Sequence, residues 1–196
     1  MNSEKWWDEK LNIRTNGRDA SFEDRHHYPY EPTPYSVLER LAGSGFLTKK
    51  NVLLDYGCGK GRVDFYLAYQ IGCRCIGVEY DERIFAKAVE NKENAVSGNK
   101  VDIFHEKAEN FEIPPQTDRF YFFNPFSIEI FQKVISMIRC SWYEAPREIL
   151  LFFYYPFDDY RRALASNDGL ELLEMIDCRD LEGDNEKEQI MICRMI

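Results

Sequence analysis

The chain has no apolar run approaching the roughly 20 residues that a bilayer-spanning helix needs. Its opening residues, MNSEKWWDEK, carry no apolar stretch of the kind a secretion signal requires. The expectation is a cytoplasmic protein with no membrane partner. Basic residues are also in short supply: 25 Lys and Arg stand against 34 Asp and Glu, a formal net charge of −9. That excludes an overall basic nucleic-acid footprint, though not a local basic patch, and disfavours a nucleic-acid partner because the acidic body repels phosphate. There are only three histidines, and the six cysteines (Cys58, Cys73, Cys75, Cys140, Cys178, Cys193) form no C-x-x-C pair. Zinc sites normally use two closely spaced ligand pairs, so no metal is expected. The cysteines read instead as free, mostly buried thiols in a reducing compartment. No internal repeat and no low-complexity linker divides the chain.

What is present is ordinary globular material: 196 residues, 44% hydrophobic and 30% charged. A length in the range of roughly 100–200 residues suggests one domain. Charge is uneven along it. Residues 1–50 hold eight acids and eight bases, so the whole −9 falls on residues 51–196, and the stretch from Asp168 onward has nine acids against three bases. We read 1–50 as an N-terminal helical extension and pocket cover, and 51–196 as the core of the same single domain. From Asn51 the chain alternates short apolar runs with amphipathic stretches. Val52–Leu54, Cys75–Glu79, Val101–Phe104, Phe120–Phe123 and Ile149–Tyr155 are strand candidates. Helix spacing places Val63, Tyr66, Leu67 and Ile71 on one face, then Phe85, Ala88, Val89 and Val96, then Phe131, Val134, Ile135 and Ile138. Asp81 and Ser127 are candidate N-caps. Continuous rather than alternating apolar strands are buried on both faces. The expected fold is therefore α/β: a doubly wound, mostly parallel sheet with helices on both faces. Leu170–Ile176 and Gln189–Cys193, separated by a polar loop with a Gly183-Asp184-Asn185 turn, complete it as a C-terminal antiparallel hairpin.

The sharpest local feature is Asp55-Tyr56-Gly57-Cys58-Gly59-Lys60-Gly61-Arg62, at the end of the first core strand and the start of a helix. A dinucleotide fingerprint G-x-G-x-x-G would need glycine where Arg62 stands, and no P-loop pattern occurs. The pattern present is D-x-G-x-G-x-G. With the acid Glu79 ending the second strand, Asn124-Pro125 ending the fourth and the closing hairpin, it resembles class I S-adenosylmethionine-dependent methyltransferases from about Tyr35 to Ile196. That resemblance implies a sheet of seven strands, the last inserted antiparallel between the fifth and sixth. It implies S-adenosylmethionine as cofactor and S-adenosylhomocysteine as product, with no metal. It carries cofactor contact onto Asp55, Gly57, Cys58, Gly59 and Gly61. Glu79 can accept both ribose hydroxyls with its two oxygens, Asp55 lies near the amino acid part, and Tyr80 can pack on the adenine. Lys107 stands where the family often has an adenine-contacting Asp. Either Glu106 serves instead, or the Ala108 backbone N–H binds the base.

Phe123-Asn124-Pro125-Phe126 is similar to the (D/N/S)-P-P-(Y/F/W) motif of methyltransferases that act on nitrogen, with one proline missing. The resemblance assigns Asn124, Pro125 and Phe126 to the reacting end, with Asn124 also near the cofactor. The bland reading of the same residues is a strand stop followed by a helix cap. Upstream, a segment dense in aromatics and proline supplies candidates for pocket cover and substrate contact: His27, Tyr28, Tyr30, Thr33 and Tyr35, with His26 beside them. Trp6 and Trp7 are expected to anchor the first helix. The expected activity is methyl transfer to an acceptor on a small molecule or a protein, with nitrogen suggested by Asn124. The competing reading is a catalytically silent cofactor-binding module of the same fold. The oligomeric state is not readable.

Overall fold

A computed structural model describes residues 3–17 and 30–196. His26, His27 and Tyr28 lie outside the described residues. In chain order the elements are α1 (Ser3–Leu11), α2 (Tyr35–Gly43), β1 (Val52–Tyr56), α3 (Arg62–Gln70), β2 (Arg74–Glu79), α4 (Glu82–Asn94), β3 (Val101–His105), β4 (Arg119–Phe122), α5 (Ile128–Glu144), β5 (Leu150–Tyr154), α6 (Asp158–Ala165), β6 (Leu170–Asp177), α7 (Arg179–Glu182) and β7 (Gln189–Met195). The seven strands form one sheet in the order β3-β2-β1-β4-β5-β7-β6. β1 through β5 are parallel, while β7 runs antiparallel to both β5 and β6. This is the doubly wound sheet with a closing hairpin that the sequence pattern implies.

The apolar runs explain why these segments sit in the middle of the sheet. β4 and β5 are buried along their whole length. Side chains alternate across a strand, so Leu53 joins one core and Leu54 and Tyr56 the other. α1, α2 and α3 cover the first face with Trp7, Leu11, Tyr35, Leu38 and Phe65. α5 and α6 cover the second with Phe131, Val134, Ile138 and Tyr160. The order of the strands turns back between β1 and β4, so the loops following them diverge and leave a cleft at their C-terminal ends.

Two expectations change. The link between the last two strands is not only a polar loop: it holds the one-turn helix α7. The buried face of α4 is Ile84, Ala88 and Asn91, and Val96 lies beyond the helix, 60% exposed. Asn91 displaces an apolar residue from that face because its amide holds the N-terminal segment, donating to the Lys60 carbonyl and accepting from the Arg14 N–H. Asp81 caps α4 as expected, accepting from the Arg83 and Ile84 N–H groups.

Candidate functional site

The cleft begins with the turn after β1. Gly57 and Cys58 both donate their N–H to the Val78 carbonyl, at 2.9 and 3.1 Å, which ties the turn to β2. Gly57 has φ +73°, and a side chain on it would meet Pro125 Cβ at 2.4 Å. Glycine is required there on both counts. Gly59 has φ +59°, and a Cβ on it would meet the Tyr30 ring at 2.2 Å. The turn is thus clamped between Pro125 on one side and Tyr30 on the other. Gly61 precedes α3 as its N-cap at φ +83°.

Asp55, Gly57, Cys58, Glu79, Tyr80, Glu106, Ala108 and Asn124 all line this one cleft. Gly59 and Gly61 do not. Tyr30 covers the first, and the second packs against Phe65, so these two shape the turn rather than the wall. Glu79 holds the turn in place: its Oε2 accepts from Gly59 N–H at 2.9 Å and its Oε1 from Asp81 N–H at 2.8 Å. Each oxygen keeps a lone pair for a further donor. Burial raises the Glu79 pKa, and those N–H groups partly offset the rise. Asp55, 3% exposed, is pushed up to about 8, first by burial and then by the charge of Glu79. Tyr80 lies on the rim with Lys107 Nζ 5.5 Å from its ring centre, so that cation faces an aromatic rather than the cleft.

The turn after β4 differs in detail from expectation. Asn124 adopts φ +42°, a left-handed conformation that asparagine tolerates. Its Nδ2 donates to the Tyr155 carbonyl at 2.7 Å, and its Oδ1 accepts from Phe157 N–H at 3.1 Å. The amide therefore pins the β4 turn to the β5–α6 turn, and its oxygen has capacity for one further donor. Phe126 is 3% exposed and meets Tyr56 and Phe122 edge-on, with centroids at 6.3 and 6.4 Å. Phe126 also lines the cleft and forms part of its apolar floor. Pro125 is wall and clamp.

Of the N-terminal candidates, Tyr30 and Thr33 line the cleft. Tyr30 is fixed by donating to the Thr15 carbonyl at 2.6 Å, and Thr33 by its 2.9 Å hydroxyl contact with Tyr121. Tyr35 does not line it. Its ring lies in the first core against Trp7 and its hydroxyl donates to Asp8 at 2.7 Å, because it opens α2 with its side chain turned inward.

Several cleft residues escaped the sequence reading, among them Arg62, Tyr121 and Phe123. Arg62, weighed only as the missing third glycine, is 2% exposed and lines the cleft wall. It donates to Thr15 Oγ1 at 2.7 Å, Asn16 Oδ1 at 2.7 Å and the Thr33 carbonyl at 3.1 Å, and it pairs with Glu4. Tyr121 and Phe123 also line the cleft from β4 and its end. The strand alternation could have flagged Tyr121, since it shares a face with Asp55 through their register. Nothing local marks Arg62, whose partners lie 29 to 58 residues away.

Residues 53–139 match the model of a family described as a methyltransferase domain. A protein-lysine N-methyltransferase of Saccharolobus islandicus is 34% identical over 74 residues, 37% of this chain and 46% of that protein. A histone-lysine N-methyltransferase specific for H3 lysine 79, from Dictyostelium discoideum, is 29% identical over 104 residues, 53% of this chain and 5% of that protein. The chain thus spans less than half the length of either curated relative. Among solved structures, an RNA methyltransferase of Salinibacter ruber in complex with S-adenosylhomocysteine superposes with a TM-score of 0.56 at 22% identity, over 84% of this chain and 92% of that one.

Proposed function

We propose that this chain, whose residues 53–139 match a family described as a methyltransferase domain, transfers a methyl group from S-adenosylmethionine to a nitrogen acceptor. The observation that carries the reading is the convergence of Asp55 and Glu79, from the ends of β1 and β2, on one cleft beside a glycine turn that leaves backbone open to a ligand. Glu79 takes the ribose hydroxyls with the lone pairs its N–H partners leave. Asp55 faces the amino acid end. Ile84 and Ala108 give the adenine an apolar slot beside Tyr80 and Glu106.

The methyl carbon of a sulfonium is already activated, so what the protein supplies is alignment of the nucleophile and exclusion of water. Asn124 uses its remaining oxygen lone pair to accept an acceptor N–H and hold the nitrogen in line. Thr33, Tyr30 and Tyr121 close the opposite wall. A lysine side chain of a protein fits best. Both curated relatives are named as lysine methyltransferases, and the mouth carries Glu31, Asp81, Glu106 and Glu109, which suit a cation. We place the reaction in the cytoplasm, a reading supported by six unpaired thiols.

The experiment is a calorimetric titration with S-adenosylhomocysteine and with NAD, followed by radiolabelled methyl transfer to lysine-bearing proteins. Micromolar binding of the first, none of the second, and label on a lysine nitrogen are expected. Tight NAD binding would overturn the cofactor. Binding without transfer to any nitrogen would leave a silent module.

A further inference from the structure

Asp64 stands in the first turn of α3 with no exposed surface. Neither of its carboxyl oxygens meets a hydrogen-bond donor among the described residues other than its own backbone N–H. An ionised carboxylate in that position would lose its hydration, at a cost of several kcal/mol, for little in return. The helix N-terminus returns only a small part of that cost. The acid whose charge acts on it most strongly is Asp55, itself buried and lining the cleft. Two ionised carboxylates are both acceptors and cannot satisfy one another. Once Asp64 is protonated, its O–H can donate to Asp55. The other titratable groups around the pair are Glu79 at the end of β2, Cys58 in the glycine turn, Cys73 and Cys75 at the start of β2, and Tyr121 in β4. None of them is a cation, and the one buried cation of the cleft wall, Arg62, is engaged by Glu4, Thr15, Asn16 and the Thr33 carbonyl.

We infer that Asp64 is a neutral carboxylic acid that positions Asp55, donating its proton to the Asp55 carboxylate and so presenting that carboxylate to the amine of the cofactor. This rests on the cofactor reading above. Burial first, and then the charge of Asp55, raise the Asp64 pKa, while Asp55 itself is pushed up to about 8. Burial and mutual repulsion thus favour the protonated forms in the empty pair. When the cofactor's ammonium group docks, Asp55 ionises, its proton leaves for solvent and Asp64 keeps its own. One O–H···O⁻ bond remains, with one negative charge facing one ammonium. Because binding displaces a proton, it tightens as pH rises toward 8, by up to about tenfold per pH unit.

The test uses the full chain and S-adenosylhomocysteine between pH 6 and 7.5, below the range in which the ligand's own amine titrates. Asp64→Asn keeps a donor to Asp55 and should bind within about threefold of the native chain. Asp64→Leu removes the donor and should lose about tenfold or more, the scale of a hydrogen bond to a charged group. Its thermal midpoint should hold or rise, because a buried acid has gone. Infrared spectra of the ligand-free protein at pH 7 should show a protonated-carboxyl band that Asp64→Asn diminishes. The inference is overturned if Asp64→Leu binds as well as Asp64→Asn, if Asp64→Asn loses as much as Asp64→Leu, or if the ligand-free band is absent. Should Asp64→Leu not fold, the Asn variant and the band still decide. A native chain that binds no S-adenosylhomocysteine at any pH sinks the cofactor reading and the positioning role with it. Normal binding with the wrong variant order sinks only the role of Asp64.

Discussion

Single residues in this cleft carry two duties, and substitutions separate them. Glu79 both ties down the glycine turn through Gly59 and faces the ligand. Glu79→Gln keeps the acceptor oxygen for one of those N–H groups but loses the charge. It should weaken S-adenosylhomocysteine binding by about 1.5–3 kcal/mol, measured by calorimetry, with a smaller change in melting temperature. An unchanged affinity would put the ribose elsewhere. Asn124 is a harder case. Asn124→Ala places an ordinary residue at φ +42° and strands the Tyr155 carbonyl and the Phe157 N–H. Stability should fall by about 1–3 kcal/mol in urea titration, together with turnover. Asn124→Gly removes the backbone strain, so its residual loss of turnover isolates the amide. Arg62 shows why a motif can hide its own support. Removing this buried cation in Arg62→Ala leaves Glu4, Asp8, Thr15 and Asn16 without their shared donor. The cost should be about 3–5 kcal/mol by denaturant unfolding, and a neutral effect would mean the network contributes nothing net.

At the scale of elements, local signals and their outcomes can be matched one by one. The glycine turn, the strand acids and the Asp81 cap were all legible, because each is specified by neighbours in sequence. Asp81→Ala should cost about 1 kcal/mol. The Asp81 pKa is lowered: burial raises it, but the Arg83 side chain and the Arg83 and Ile84 N–H groups outweigh that. A depressed folded-state pKa means the cap's contribution is present above the unfolded value near 4 and is lost as pH falls below it. Melting curves of native and Asp81→Ala chains should therefore converge in acid. β6 was legible as a strand but not in its surroundings. It sits at the sheet edge with Leu172, Leu173 and Met175 between 37% and 56% exposed, and its pairing to β7 slips between Leu172 and Glu174. Alternation alone would have buried one of its faces. What buries a face is another element, and among the described residues no helix covers this strand as α3 and α5 cover β1 and β4.

The whole molecule is held together at its start. α1 and the residues after it place Trp7, Leu11 and Ile13 in the first core. Asp8 gathers the Thr15 hydroxyl and N–H, the Asn16 amide and the Tyr35 hydroxyl. Thr15 in turn holds Tyr30 over the glycine turn. A chain lacking residues 1–17 should lose several kcal/mol of stability, since each buried large side chain alone is worth about 2–5 kcal/mol, and should bind S-adenosylhomocysteine more weakly. Undiminished stability and affinity would detach this segment from both core and cleft. The strands themselves, the glycine turn and the acids beside it follow from patterns within a few residues: period, turn chemistry and the glycines a tight turn demands; the order of the strands was implied only by the family resemblance those motifs carry. That Tyr35 fills the core rather than the cleft was settled only when distant segments packed. So was the way Arg62 and Asp8 lock the N-terminal segment down. The physical reason is the same throughout. Burial and charge compensation depend on which surfaces meet in space, and a sequence states its own periodicity but not the identity of the partner across the gap.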